Sequence, residues 1–210
     1  MKHPPPHRQV IPDFRPDPVA SDRLVLFRDL LLRWTVRINL IAEREPTLVD
    51  ARHISDCLQL VPLLPAEGAL ADLGSGGGLP GLVFAINNPD REVHLIESDR
   101  RKAAFLLDAA ARLGLLHVHV HAVRIADAQH SLPPLAAVSA RALAPLADLI
   151  GFAHEMLPPK GVAIFPKGRT AEQELTQALG RWQMSVERFR SRTDADSTIF
   201  RLSEIRRAPE

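Results

Sequence analysis

Residues 71–81 read ADLGSGGGLPG, with an acid, Asp72, near the end of an apolar run and Gly74, Ser75, Gly76 and Gly78 directly after it. Glycines at such a bend let backbone approach a ligand closely, because no Cβ stands in the way. A second acid, Glu97, closes the next apolar run twenty-five positions after Asp72. An acid there can accept both hydroxyls of a ribose. Further along, Arg141 follows the apolar run AAVSA and Lys167 follows VAIFP. A guanidinium and an ammonium at strand ends suit carboxylate or phosphate ligands.

The glycine bend has two frames. From Gly76 it reads G-x-G-x-x-G (Gly76, Gly78, Gly81), the fingerprint that binds a dinucleotide pyrophosphate. From Asp72 it reads D-x-G-x-G-x-G, the first motif of Rossmann-like methyltransferases, which bind S-adenosylmethionine. Position favours the second frame, because Gly76 lies three residues past Leu73 whereas a dinucleotide loop begins its glycines at the strand end. Charge favours it too. Asp72 can meet the ammonium of a cationic amino-acid ligand, directly or through water, and would repel a pyrophosphate. Pro80 fits the first turn of the helix that follows.

The methyl acceptor is read by elimination. Methylation of an exocyclic amine calls for an N-P-P-Y-like element after the fourth strand, where this chain has SARALAPL. Pyrimidine C5 methylation needs a cysteine nucleophile, and the single cysteine, Cys57, lies far upstream of the loop that would carry it. Guanine N7 already offers an in-plane lone pair, so a site without a general base is compatible with it.

The elements that position these residues follow from hydrophobic spacing. Leu24, Phe27, Leu31, Trp34 and Ile38 recur three or four apart and predict a long amphipathic helix from Ser21, with Phe27 and Trp34 in the core. A second helical segment is expected over 48–60, broken by Pro62 and Pro65. Short apolar runs then predict strands over 69–73, 93–97, 118–122, 136–140 and 162–165, separated by helices over 80–87, 100–113, 145–157 and 171–182. Period-two stretches over 185–190 and 198–205 have no helix between them and predict an antiparallel pair. The expected fold is α/β: a mostly parallel, doubly wound sheet with that strand pair at its C-terminal end and an N-terminal helical cap. The expected organisation is a disordered proline-rich arm over 1–18, the cap over 19–66 and the core over 67–210, cap and core forming one globular unit.

Composition bounds the rest. Of 210 residues, 46% are hydrophobic and 24% charged, which is globular usage. No apolar run is long enough to span a bilayer and MKHPPPHRQV is no secretory leader, so no membrane partner and a cytoplasmic location are expected. The net charge of +1 gives no bulk attraction to nucleic acid, so such binding must use a local patch. Arg100, Arg101 and Lys102 could form one, although a charge run at a helix start also reads as a solvated face. His53 and Asp56 are helical neighbours that either cover the ligand mouth or lock cap to core. The run HVHVH puts His117, His119 and His121 on one side of a strand. Metal ligands usually converge from several elements, so this run reads as an edge strand with one polar face, and no metal is expected.

The segments NLIAERE (39–45), RHISDCL (52–58), DLGSGGGLPGLVFAI (72–86), LIESDRRKAAFL (95–106), ARALAPL (140–146) and PKG (166–168) occur in that order. In this combination the chain resembles the ribosomal RNA small subunit methyltransferase G family, also called glucose-inhibited division protein B, over roughly residues 34–169. The resemblance implies a Rossmann-like class I methyltransferase that uses S-adenosylmethionine to methylate N7 of a guanosine in 16S rRNA, on free RNA or on a small-subunit assembly intermediate, as a monomer. It implies that Asp72, Gly74, Ser75, Gly76, Gly78 and Leu79 line the cofactor loop and that Glu97 takes the ribose. Ile125 and Ala126 would flank the adenine, and Arg141 would stand at the reaction centre. Relatives commonly carry an acid where this chain has Ala126, with Asp127 next to it. Arg141 and Lys167 are expected to position substrate rather than move a proton. Arg52, His53, Arg100, Arg101, Lys102, Lys167 and Arg169 are the expected RNA contacts. A small-molecule methyltransferase, or a non-catalytic nucleotide-binding regulatory module, would share the same core.

Overall fold

The computed structural model describes residues 7–209. Seven strands form one sheet: β1 (Ala69–Leu73), β2 (Val93–Ile96), β3 (Val118–His121), β4 (Leu135–Ser139), β5 (Val162–Lys167), β6 (Trp182–Arg190) and β7 (Thr198–Arg207). Their spatial order is β3-β2-β1-β4-β5-β7-β6. The first five run parallel, and β7 pairs antiparallel with both β5 and β6. Because β2 and β4 flank β1 on opposite sides, the strand order reverses at β1/β4, and a crevice opens at the carboxyl ends of those strands.

Helix α1 (Pro18–Ile38) begins where Asp17 accepts from the Ala20 N–H at 2.7 Å, with Pro18 in its first turn, and ends at Asn39 in a left-handed conformation. Its apolar stripe buries Leu24, Phe27, Leu30 and Leu31 completely or nearly so. Trp34 closes the stripe by an edge-on contact with Phe105, 5.8 Å between centroids, and its indole N–H donates to Asp108.

The next helical segment is α2 (Pro46–Val49), a π-helical turn (Asp50–Ile54) and α3 (Ser55–Leu58). Val49 and Ile54, five apart, are both buried, a spacing that a π turn permits. Between the strands lie α4 (Gly81–Asn87), α5 (Arg100–Arg112), α6 (Ile125–Ala128), α7 (Leu146–Met156) and α8 (Ala171–Leu179). One core joins α1, α4 and α5 to a sheet face, and a second joins α7 and α8 to the other.

Three expectations are corrected. The helix expected over 171–182 stops at Leu179, and Trp182 starts β6, where it is buried and donates to the Ala147 carbonyl. The short helix α6 stands where no helix is expected from the spacing of apolar residues. The arm expected to be disordered is ordered from Gln9: its backbone pairs with β6 (Gln9 N–H to Arg188 O, 2.7 Å; Arg190 N–H to Gln9 O, 3.0 Å), and Ile11 is buried at 1% exposure. One buried isoleucine, a short backbone ladder and Arg192, which reaches the Ile11 carbonyl and Asp13, hold a segment whose composition alone reads as loose. Pro4, Pro5 and Pro6 lie outside the described residues.

Candidate active site

Gly74, Gly76 and Gly78 all have left-handed φ angles (+65°, +51° and +75°), a conformation that costs other residues roughly 1–2 kcal/mol. Ser75 fastens the start of the loop. Ser75 N–H donates to the Ile96 carbonyl at 3.0 Å, tying the loop to β2, and the Ser75 hydroxyl donates to the Asp72 carbonyl.

Asp72 does a different job from the one its motif implies. Its carboxylate is 1% exposed and accepts from the Ser139 hydroxyl (2.8 Å) and the Gly81 N–H (3.1 Å). It therefore joins β1 to β4 and to the start of α4 instead of presenting an oxygen to a ligand ammonium. Burial pushes its pKa up to about 6, against the opposing pull of Ser139 and the Gly81 N–H. Leu79 is likewise packed in the core, Ser75 is buried, and Gly78 lies against Leu82. These four shape the loop from behind.

The ligand side of the loop is a cavity of about 480 Å³ at the β1/β4 crevice, a size suited to a small-molecule ligand. Gly74 and Gly76 form one wall; Ile96, Glu97, Ser98 and Lys102 form the second; Val123 to Ala126 the third; and Arg141, Ala142, Leu143 and Phe152 the fourth. Glu97, 7% exposed, accepts from Gly76 N–H (2.9 Å) through Oε2 and from Asp99 N–H (2.8 Å) through Oε1. A carboxylate has about four lone-pair positions, so each oxygen retains one for a diol. A Cβ on Gly74 would stand 2.6 Å from Leu143 Cδ1, so that wall tolerates no side chain without displacement.

Ile125 and Ala126 line this cavity at the start of α6. Asp127 is exposed and outside the cavity wall, so it does not stand in for an acid at 126. Leu143, Phe152 and Arg124 also line the cavity and carry no sequence signal, because loop and helix faces depend on tertiary packing. Ala142 has φ +54°, an uncommon conformation for a side-chain-bearing residue, and stands directly after Arg141.

Arg141 is held from the cap. Its Nη1 donates to His53 Nδ1 at 3.1 Å and lies 3.6 Å from Asp56 Oδ2. Because arginine has no acceptor, His53 Nδ1 must accept, which puts the imidazole proton on Nε2, 2.6 Å from Glu43. That hydrogen bond holds the Glu43 carboxyl below its ordinary pKa. His53 and Asp56 thus both lock cap to core and reach the mouth of the site. With both ring nitrogens engaged, His53 has no free edge for the expected RNA contact.

Lys167 is also committed. Its ammonium contacts Glu174 at 2.7 Å and donates to the Ala144 carbonyl at 3.0 Å. Burial disfavours ionised Glu174, but Lys167, the Leu146 N–H and Thr170 outweigh it and hold the carboxyl below its usual range. The free phosphate contact expected of Lys167 is therefore replaced by an ion pair at the edge of a second cavity, about 570 Å³, which shares Ala142 and Leu143 with the first. Among the other expected RNA contacts, Arg100 and Arg101 are exposed, Arg52 is two-thirds exposed beside Glu43, and Arg169 pairs with Asp196 on the surface.

A parallel sheet reversing at β1/β4, a left-handed glycine loop and an acid closing β2 define a Rossmann-like class I methyltransferase that uses S-adenosylmethionine. The fold is similar to ribosomal protein L11 methylase from Lactobacillus delbrueckii subsp. bulgaricus (TM-score 0.57, 15% identity, 78% of this chain and 80% of that one). It is also similar to a precorrin-6Y C5,15-methyltransferase from Geobacter metallireducens GS-15 (TM-score 0.51, 15% identity, 79% and 90%). The family model described as rRNA small subunit methyltransferase G (GidB) matches residues 20–197, and the chain belongs to that family. Relatives named ribosomal RNA small subunit methyltransferase G are 50% identical in Granulibacter bethesdensis (90% of this chain, 87% of the relative) and 54% identical in Acidiphilium cryptum (88% and 85%).

Proposed function

We propose that this enzyme methylates N7 of a guanosine in small-subunit ribosomal RNA, acting as a monomer in the cytoplasm on the RNA or on a partly assembled subunit. The observation that carries the reading is the adjacency of two cavities that share Ala142 and Leu143 in their walls: one is walled by the glycine loop and Glu97, the other by Lys167 and Glu174. A ribosomal substrate supports the location. Among the described residues, no helix is long and apolar enough to cross a membrane.

S-adenosylmethionine supplies a methyl group on a positively charged sulfur. Gly74 and Gly76 give it close backbone approach, Glu97 fits the ribose hydroxyls, and Ile96, Ile125 and Ala126 offer an apolar slot for the adenine. Arg141, fixed by His53 and Asp56, orients groups at the shared wall, and its fork suits a carboxylate, a phosphate or guanine O6. Guanine N7 attacks with a lone pair already in the ring plane, so no side chain has to remove a proton first. Positioning can then supply much of the rate, up to ~7–11 kcal/mol. Arg100, Arg101, Lys102, Arg124 and Arg52 are the proposed phosphate contacts around the mouth.

Incubation with labelled cofactor and undermethylated 16S rRNA, followed by digestion to nucleosides, should place the label in 7-methylguanosine. Running naked RNA and immature subunits in parallel identifies the substrate form. Label in any other nucleoside, or in none, overturns the reading.

A further inference from the structure

Outside the active site, β2 and β3 bring together side chains with no part in methyl transfer. His94 and His119 are register partners on adjacent strands, and Glu92 lies two residues before His94, hence on the same face. One ligand atom from each of these three residues lies within 4.8 Å of the other two. The His94 side chain is 7% exposed, and its Nε2 is fully buried without a hydrogen-bond partner, 3.7 Å from Glu92 Oε2. Leaving such an atom unpaired is costly, so a ligand that satisfies it has a thermodynamic reason to bind.

We propose that Glu92, His94 and His119 form a site for a zinc-like divalent ion, with water completing the coordination.

The donor set is chemically apt, because two imidazoles and one carboxylate with an open position is an established zinc ligand set, and imidazole also suits nickel and copper. The neighbouring ring supplies the usual support. His94 Nδ1 lies 3.0 Å from His121 Nε2; with the proton on Nδ1 donating to His121, the Nε2 lone pair is left free 3.7 Å from Glu92 Oε2, as ligating histidines are commonly oriented by a second hydrogen bond. The His119 ring stacks on His94 with centroids 4.9 Å apart and must turn to bring a nitrogen to the same point. Tetrahedral zinc with bonds of about 2.0–2.2 Å needs donor atoms about 3.4 Å apart. Closing the remaining gap requires the exposed Glu92 and His119 side chains to turn, while the buried His94 stays in place. The expectation of no metal rests on the histidines of HVHVH standing alone on one strand; convergence comes from β2, through His94 and Glu92.

The consequence of binding would be an edge strand clamped to its neighbour two residues upstream of Ile96 and three upstream of Glu97. The test is calorimetric titration of the metal-stripped full chain with Zn²⁺, together with the visible absorption of the Co²⁺ form. The wild type should take up one equivalent, and so should a chain carrying His3→Asn and His7→Asn, which removes competing ligands from the proline arm. His119→Ala and Glu92→Gln, both at exposed positions that leave the core intact, should each weaken binding at least tenfold, and His121→Asn about tenfold. Zinc should also raise the Tm of the wild type and not of His119→Ala. Absence of equimolar binding, or equal affinity in His119→Ala, overturns the site, as does binding that disappears with the arm histidines alone.

Discussion

Arg141 Nη1 donates to His53 Nδ1 at 3.1 Å, so the cap helps orient a cation at the wall shared by the two cavities. His53 is itself fixed by Glu43, and the three residues form a chain from cap to site. Arg141→Ala should lower kcat strongly while costing less than about 1 kcal/mol of stability, since partly exposed ion pairs contribute little. His53→Ala should lower kcat less, and the double variant should be non-additive by about 0.5–3 kcal/mol. Single-turnover rates with parallel urea unfolding check this; strict additivity would sever the two residues.

Glu97 holds the glycine loop through Gly76 and has lone pairs left for a ligand. Glu97→Ala should weaken S-adenosylhomocysteine binding about 10- to 100-fold, the range for hydrogen bonds to a charged group, about 1.5–3 kcal/mol. Isothermal calorimetry reads the effect directly. Unchanged affinity would remove Glu97 from the ligand.

Gly74 combines φ +65° with contact against Leu143. Gly74→Ala should cost about 1–2 kcal/mol of stability from the backbone alone. Gly74→Val adds a branched side chain beside the cavity and should abolish cofactor binding while far-ultraviolet circular dichroism stays native. Equal cofactor affinity in the valine variant would mean the loop faces another way.

Asp72 titrates near pH 6 in the folded protein, above the ordinary carboxyl value. The folded state therefore binds the proton more tightly than the unfolded chain, and this residue's contribution to stability is fullest below about pH 4 and falls as pH rises toward and through 6. A rise of that size in the folded-state pKa corresponds to roughly 3 kcal/mol. The stability of the wild type minus that of Asp72→Asn should decline by that order between pH 4 and 7 in urea titrations, and a flat difference would contradict the raised value. Subtracting the variant removes the other carboxylates, many of which act in the opposite direction.

Cys57 is fully buried, and burial pushes its thiol well above the usual range. A disulfide reagent such as DTNB should label it only at the rate of global unfolding. Labelling within the mixing time would mean that the cap opens on its own.

The sheet is legible in the sequence because its parallel strands are near-continuous apolar runs bounded by turn residues, and the chemistry at their ends is legible because glycine and acid spacing is local. What escapes depends on neighbours distant in sequence. Trp182 continues a helical stripe on paper, yet Ala147 and the sheet draw it into β6. Asp72 sits at a ligand-facing position in the motif, but Ser139, sixty-seven residues away, turns its carboxylate inward. Lys167 ends its strand as expected, and only the packing of α8 reveals that Glu174 neutralises it. His94 carries no signal until β3 is laid beside it in register. The π turn at Asp50–Ile54 shows only as an odd five-residue spacing.

Gln9 lies in parallel against Phe189, Arg192 reaches back to the Ile11 carbonyl and to Asp13, and Gln59 holds the Arg192 N–H. Residues 9–13 are thus clasped by a hairpin some 180 residues further along the chain. During translation the early helices must wait, with part of their anchorage missing, until the final hairpin emerges. Loss of β6 and β7 would accordingly be felt at the cap, because the turn between them donates to Gln59 and Asp56 through the Arg192 N–H and the Thr193 hydroxyl.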